Sequence, residues 1–348
     1  MPEAGPNDSG EAAIIPVDTD TRYDIRAGAR DDDSDSFVSS VAGSTESLSS
    51  SIFNYRKENG RTYSNFKETE YWQPNDDKQN NGLDLHHHMM LQVHDDKLFR
   101  APLEDPQNVL DVGTGTGIWA IDFAEQYPSA SVIGTDISPI QVSTPMPTWV
   151  PPNCRFELDD ATLEWTFPDN SFDFIHMRFL LGSVEDWVGL FKQAYRCLKP
   201  GGWIEHTDFT IRIGCDDKSL PDDCVYYTWN RLFKEAGEKT KRTFLVTDND
   251  QNAGWIKEAG FTNVNISRHK VPLGTWPAEK KWKNIGAFNL ATCEEGLEGY
   301  ILYLGTNVLG WSYEELQVVI AKMRQALRNP SYHASYPVAT TWAQKPLA

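Results

Sequence analysis

The chain is short of cysteine, of basic charge and of long apolar runs, and each shortage removes a class of protein. Its 348 residues hold five cysteines, Cys154, Cys197, Cys215, Cys224 and Cys293, widely spaced and with no CxxC pair. That pattern speaks against a disulfide scaffold and a cysteine-rich zinc site, and suits reduced thiols in a cytoplasmic or nuclear compartment. Lys and Arg number 32 against 50 Asp and Glu, a net charge of −18. A protein that neutralises nucleic-acid phosphates, or docks on an anionic membrane face, needs the opposite balance. No run approaches the ~18 consecutive apolar residues that span a bilayer. The N-terminus has neither the basic patch nor the apolar stretch of a secretory signal. Internal repeats are absent as well, which sets aside solenoids and propellers.

What charge there is lies unevenly. Residues 1–51 carry 11 acidic and three basic residues, ten serines and few large apolar side chains. Such a segment cannot bury enough surface to offset its ordering entropy, so it reads as a disordered acidic tail. A solvated tail is the simpler reading; a regulated, phosphorylated arm is the alternative. The remainder has ordinary globular patterning.

From residue 108 onward, strand-like and helix-like pieces alternate. Strands are expected at 108–113, 131–137, 153–158, 172–177 and 203–209. A helix follows the first strand, over 117–127, and another is expected near 184–198, with Ser183 and Asp186 where a cap belongs and Pro200-Gly201-Gly202 beyond its end. This alternation implies a parallel sheet covered by helices on both faces, built from right-handed crossovers. A ligand then belongs at the carboxyl ends of the strands, near the point where the strand order reverses.

The glycine-rich turn VLDVGTGTG, Val109 to Gly117, stands at the first of those ends. Glycines allow a tight turn and close approach of backbone to ligand. The pattern is DxGxGxG, with Asp111 two residues before Gly113. A carboxylate there would not help an anionic diphosphate but suits a ligand carrying an ammonium and a sulfonium. Asp136, at the end of the second strand, stands where a carboxylate accepts ribose hydroxyls. Asp159-Asp160-Ala161 follows the third strand, within reach of an adenine edge. Glycine turn, ribose acid and third-strand acid, in this order, favour S-adenosylmethionine as cofactor.

These motifs resemble the class I S-adenosylmethionine-dependent methyltransferases: VLDVGTGTG, VIGTDIS, DDA, FDFIHMRFL and LKPGGWIEHTDF follow one another along the chain. More narrowly, the chain is similar to the fungal LaeA-like group of secondary-metabolism regulators and tailoring enzymes. That likeness extends upstream through GRTY, YWQPND and LDLHHHMM, and downstream through GTWP, LEGY and VLGWSYEEL, over roughly residues 53–348. The group usually has glutamine where this chain has His86, whereas His87 and His88 fit its paired histidines. The resemblance implies an α/β fold: a Rossmann-like, seven-stranded, mostly parallel sheet ending in an antiparallel hairpin. It divides the chain into a tail (1–51), a helical N-terminal lid (52–107), a core (108–271), a mainly helical substrate-cap insertion (272–330) and a final strand (331–348).

It also implies roles. Asp111 with the turn Gly113, Thr114 and Gly115 would hold the methionine end of the cofactor. Asp136 would bind ribose and Ile137 pack on adenine; Asp160 and Ala161 would touch the adenine edge. Tyr71 and the segment through His88 would close over the cofactor. His176 would border both the sulfonium and the acceptor.

Methyl transfer from a sulfonium needs alignment more than covalent help, and a general base only where the acceptor keeps its proton. His176 is the first candidate base by position, followed by Glu205 and His206, which cannot both face one pocket because strand neighbours alternate. Residues 86–88 cannot converge on one metal ion, since adjacent helical residues point about 100° apart, so no metal is expected. The insertion holds Trp276, Trp282, Phe288, Tyr300, Tyr303 and Trp311, of which some are expected to line a site for an aromatic or apolar small molecule. It ends in an amphipathic helix with a Ser312–Glu315 capping box, whose apolar stripe reads as core. Three functions stay open: a tailoring methyltransferase producing S-adenosylhomocysteine and a methylated small molecule, a regulator acting through protein partners, and a cofactor-binding protein repurposed for a non-methylating reaction. Neither nucleic acid nor membrane is an expected partner.

Overall fold

The computed structural model describes residues 15–16, 55–65, 71–140 and 150–347. Most of the expected acidic tail therefore lies outside the described residues. Ile15 and Pro16 differ from that expectation: Ile15 is buried, and the Ala278 amide donates to Pro16 O at 2.9 Å. A large apolar residue inside an acidic stretch gains by leaving water, roughly 1.5–3 kcal/mol for a full side chain.

A hairpin, β1 (Arg56–Glu58) and β2 (Arg61–Tyr63), comes first. Its two-residue turn is Asn59-Gly60, both at positive φ (50° and 77°), the backbone that matches the twist of paired strands. The hairpin is tied to helix α1 (Asp77–Val93) through Arg61, whose Nη2 donates to Asp76 Oδ1 at 2.8 Å. Asp76 also caps α1, accepting from the Gln79 amide at 3.1 Å. Where the resemblance implies a helical segment over 52–107, the described residues form a hairpin followed by a helix.

The core alternates β3 (Asn108–Val112), α2 (Ile118–Gln126), β4 (Ser131–Asp136), β5 (Cys154–Leu158), β6 (Phe172–Arg178), α3 (Trp187–Cys197) and β7 (Leu198–Phe209). Then follow α4 (Val225–Thr240), α5 (Gln251–Glu258), β8 (Thr262–Pro272), α6 (Lys280–Tyr303), a single π turn (Leu304–Val308), α7 (Tyr313–Leu327) and β9 (Ser335–Gln344). The seven-stranded sheet has the order β5-β4-β3-β6-β7-β9-β8. Its first five strands are parallel, and β9 runs antiparallel to both β7 and β8. The chain order reverses at β3, so the crevice a ligand can enter opens at the carboxyl ends of β3, β4 and β6.

Period-two alternation sorts the strand side chains onto two faces. Val109, Val132, Phe174 and Trp203 pack with Trp119 and Phe123 of α2. Leu110, Ile133, Ile175 and Ile204 join the larger cluster that includes Leu190 and Phe191 of α3 and Ile256 of α5. Helix α3 starts one residue after Asp186, whose carboxylate accepts from the Gly189 amide at 2.8 Å, so the cap is Asp186 and not Ser183. The 272–330 region is the pair α6 and α7, and the Ser312–Glu315 capping box is present at the start of α7. Among the described residues, no helix is long and apolar enough to cross a membrane.

Candidate active site

The alternation that buries Val109 and Phe174 toward α2 puts Asp111 and His176 on the same face two residues later. Parallel register sets Asp111 opposite His176, and His176 opposite Glu205, so these three polar residues form a row across β3, β6 and β7. His176 Nδ1 lies 2.7 Å from Asp111 Oδ1, and the second carboxylate oxygen accepts from Thr114 Oγ1 at 2.6 Å. Burial holds the His176 imidazole below its ordinary pKa against the pull of Asp111. The neutral ring therefore donates an Nδ1–H hydrogen bond to Asp111 and keeps a lone pair on Nε2. Trp119 stacks on the imidazole at 3.7 Å between centroids and 4° between planes, which fixes the ring's tilt.

The turn after β3 needs its glycines. Gly113 and Gly117 have φ of 69° and 86°, and Gly117 is the residue from which α2 begins. The turn is clamped from β4: the Asp136 carboxylate accepts from the Gly115 amide and from the Ser138 amide, both at 2.9 Å. Burial pushes the Asp136 pKa up to about 6, offset in part by those two amides. Asp160 accepts from the Thr162 amide at 2.9 Å and its hydroxyl at 2.7 Å, which closes the loop after β5. Tyr71 approaches from the N-terminal segment, with its hydroxyl donating to Gln73 Oε1 at 3.0 Å.

One cavity collects these groups, enclosing about 1030 Å³ of empty space with its mouth included. Asp111, Gly113, Thr114, Gly115, Asp136, Ile137, Asp160, Ala161, His176 and Tyr71 all line it. The glycine turn and the carboxylates of Asp111, Asp136 and Asp160 line it, and Ile137, Leu180 and Val184 offer apolar wall. That donor and acceptor set fits a molecule with an amino-acid end, a ribose and a flat base.

Comparison with known proteins bears this out at the level of family. A family model described as a methyltransferase domain matches residues 85–266. The methyltransferase pytC of Aspergillus terreus is 37% identical over 306 residues, 87% of this chain and 92% of the relative. The secondary metabolism regulator LAE1 of Cochliobolus heterostrophus is 33% identical, over 83% of this chain and 94% of its own. The protein-methionine methyltransferase laeA of Emericella nidulans is 31% identical, over 84% and 77% respectively. The chain belongs to the class I S-adenosylmethionine-dependent methyltransferases. Solved structures lie further off. A Haemonchus contortus phosphoethanolamine N-methyltransferase 2 shares 19% identity at a TM-score of 0.43, covering 77% of this chain and 52% of its own.

Not every residue marked out by the methyltransferase motifs lies in the cavity. His88 is exposed on α1. Glu205 turns to the α2 side and takes the amides of Arg100 and Ala101 at 2.7 and 2.8 Å; burial raises its pKa to about 7. His206, on the opposite face, is enclosed by Trp187 and Phe191, with Nε2 3.4 Å from Asp208 Oδ2. Neither Glu205 nor His206 lines the cavity.

Conversely, the motifs did not single out Arg178 as a site residue, although it does line it. Arg178 donates through Nη2 to His87 Nδ1 at 3.0 Å, and His87 Nε2 is 2.9 Å from Asp122. Desolvation holds His87 down to about 4, so its neutral ring accepts from Arg178 and donates to Asp122. Trp119 and Gln73 also line the cavity. Their contribution is tertiary, and the one signal available was the position of Arg178 at the end of a strand.

Behind the wall lies a second cavity, of about 660 Å³ with its opening included. Trp72, Phe209, Trp229, Phe233, Leu273 and Tyr336 are among its lining residues, and it extends under α6 and α7 to Tyr300 and Met323. Of the six insertion aromatics, Tyr300 alone lines it; the cavity's other aromatic residues come from β7, α4, β9 and the N-terminal segment. Gln73 lines both cavities.

Proposed function

We propose that this methyltransferase transfers a methyl group by in-line displacement from S-adenosylmethionine in the first cavity to an uncharged small molecule in the second. The observation that carries the reading is the pairing of the cavities: they share Gln73, and among the described residues no Asp, Glu, Lys or Arg lines the second. A desolvated apolar site rejects charged acceptors because each buried charge needs a partner.

S-Adenosylmethionine, when bound, supplies a methyl carbon already activated by its sulfonium. The protein's part is to bind, orient and exclude water. Asp136 would accept the ribose hydroxyls, its rotamer set in advance by the Gly115 and Ser138 amides. Asp111 and the Gly113–Gly115 backbone would hold the amino-acid end. Ile137, Asp160 and Ala161 would flank the base, and Tyr71 would close the site. His176, oriented by Asp111 and Trp119, is the wall residue with a free lone pair to receive a proton from an acceptor hydroxyl or amine. No metal is invoked.

The second reading is a protein acceptor. It draws on the name of the Emericella nidulans relative and on an apolar lining that would tolerate a thioether. Incubating the pure protein with methyl-labelled cofactor, a host metabolite extract and a host protein fraction separates the two. Label in a small molecule is expected; label confined to protein contradicts the small-molecule reading. Binding of cofactor with label in neither fraction favours the repurposed-protein alternative.

A further inference from the structure

His86 is a polar group of the second cavity that its surroundings leave unused. It lines that cavity from α1, is 8% exposed, and its Nε2 is buried with no hydrogen-bond partner. A buried polar atom without a partner costs roughly 1–3 kcal/mol, so its retention asks for an explanation. The ring is held in place: Phe179 stacks on it at 4.1 Å and 8°, and Phe209 meets it edge-on at 5.9 Å. Phe179 in turn lines the first cavity. The His86–Phe179 stack is therefore a partition between the two cavities. Burial and the nearby Arg178 keep the imidazole neutral, with its pKa lowered to about 3.

We infer that the second cavity takes a flat, uncharged, apolar compound carrying a hydroxyl or N–H group, and that this group donates to His86 Nε2. This rests on the acceptor reading above and deepens it by naming the handle. A neutral, desolvated imidazole is a good acceptor of one hydrogen bond and a poor resting place for a charge, so His86 would position the ligand. Two other polar residues of the cavity already have partners within the protein. Asn289 accepts from Tyr336 and donates to Pro272 O, and Thr292 donates to Phe288 O. The ligand's remaining surface would meet Trp72, Trp229 and Phe233.

The test uses 2-naphthol and naphthalene as probes, titrated into the full chain without cofactor and followed by calorimetry. Wild type is expected to bind naphthol roughly tenfold more tightly, the value of one hydrogen bond to a buried acceptor. His86→Phe, which keeps the stack and removes the nitrogen, should bind both probes equally; His86→Leu serves if the first variant does not fold. Thr292→Trp, which fills the cavity, should lose both. Three results would overturn the inference: a naphthol preference that survives in both His86 variants, failure of wild type to bind either probe, or displacement of naphthol by N-acetylmethionine amide at lower concentration than naphthol itself. A parallel titration with S-adenosylhomocysteine reads the first cavity separately. Its failure would remove the methyl-transfer reading while leaving the probe preference interpretable.

Discussion

Two carboxyl groups, Asp136 and Glu205, carry the most informative electrostatics because burial, and not a neighbouring cation, dominates both. Each has a folded pKa above its unfolded value: about 6 against 3.8 for Asp136, and about 7 against 4.5 for Glu205. Folding therefore takes up protons between those limits. The contribution of each to stability is full below the lower value and lost as pH rises through the upper one. Glu205→Gln should flatten the fall in stability between about pH 4.5 and 7, measured as the wild-type-minus-variant difference in denaturant melts. A difference that is constant across that range would contradict the assignment. Because Glu205 serves two backbone amides away from the cavity, the same variant should keep methyl-transfer activity within about threefold. His176→Ala should lower kcat by roughly 10²–10⁴ if the acceptor must lose a proton, the usual range for a general base. For Asp136, cofactor binding to the charged form should release protons and weaken as pH falls below about 6; affinity unchanged from pH 7.5 to 5 would speak against ribose binding there.

Elements differ in how far local rules determine them. Helix α7 announces itself, since a Ser–Glu pair three apart precedes an apolar stripe. Ser312→Ala should cost ~1 kcal/mol, seen as a lowered midpoint in thermal unfolding with no change in cofactor affinity. Helix α6 depends on a contact that no local rule reveals: a Cβ built on Gly286 would come within 1.9 Å of Gly274 O. Gly286→Ala should then cost about 1–3 kcal/mol as α6 shifts off β8, and it should weaken naphthol binding more than cofactor binding. An equally stable variant would mean the helix has room to move. The hairpin β1–β2 shows the reverse case. Its strands are three residues each, too short for periodicity to register, although the Asn59-Gly60 pair is a recognised turn signal.

Over the whole molecule, the alternation from residue 108 and the DxGxGxG turn were enough to read the five parallel strands and the carboxyl edge where the cavity opens, whereas the terminal hairpin was implied by the family resemblance. Those features are local in sequence or separated by regular intervals. What could not be read depends on which way a side chain faces after packing. Glu205 and His206 stand at the right strand end, but one is drawn to the Arg100–Ala101 amides and the other is enclosed under α3. Arg178 and Trp119 enter the site only through the sheet register and the angle of α2. The net charge was a similar case. The −18 argues against nucleic-acid and membrane partners, whereas Asp111, Asp136 and Asp160 are informative through their position at strand ends, where they line the first cavity.

The central claim is that the first cavity binds S-adenosylmethionine through Asp136, and calorimetric titration of the cofactor into wild type and Asp136→Ala tests it most directly. Two hydrogen bonds to one buried carboxylate imply a loss of at least about 100-fold in affinity for the variant. Thermal unfolding of both proteins without cofactor controls for folding. Wild-type affinity in a folded Asp136→Ala variant would contradict the account.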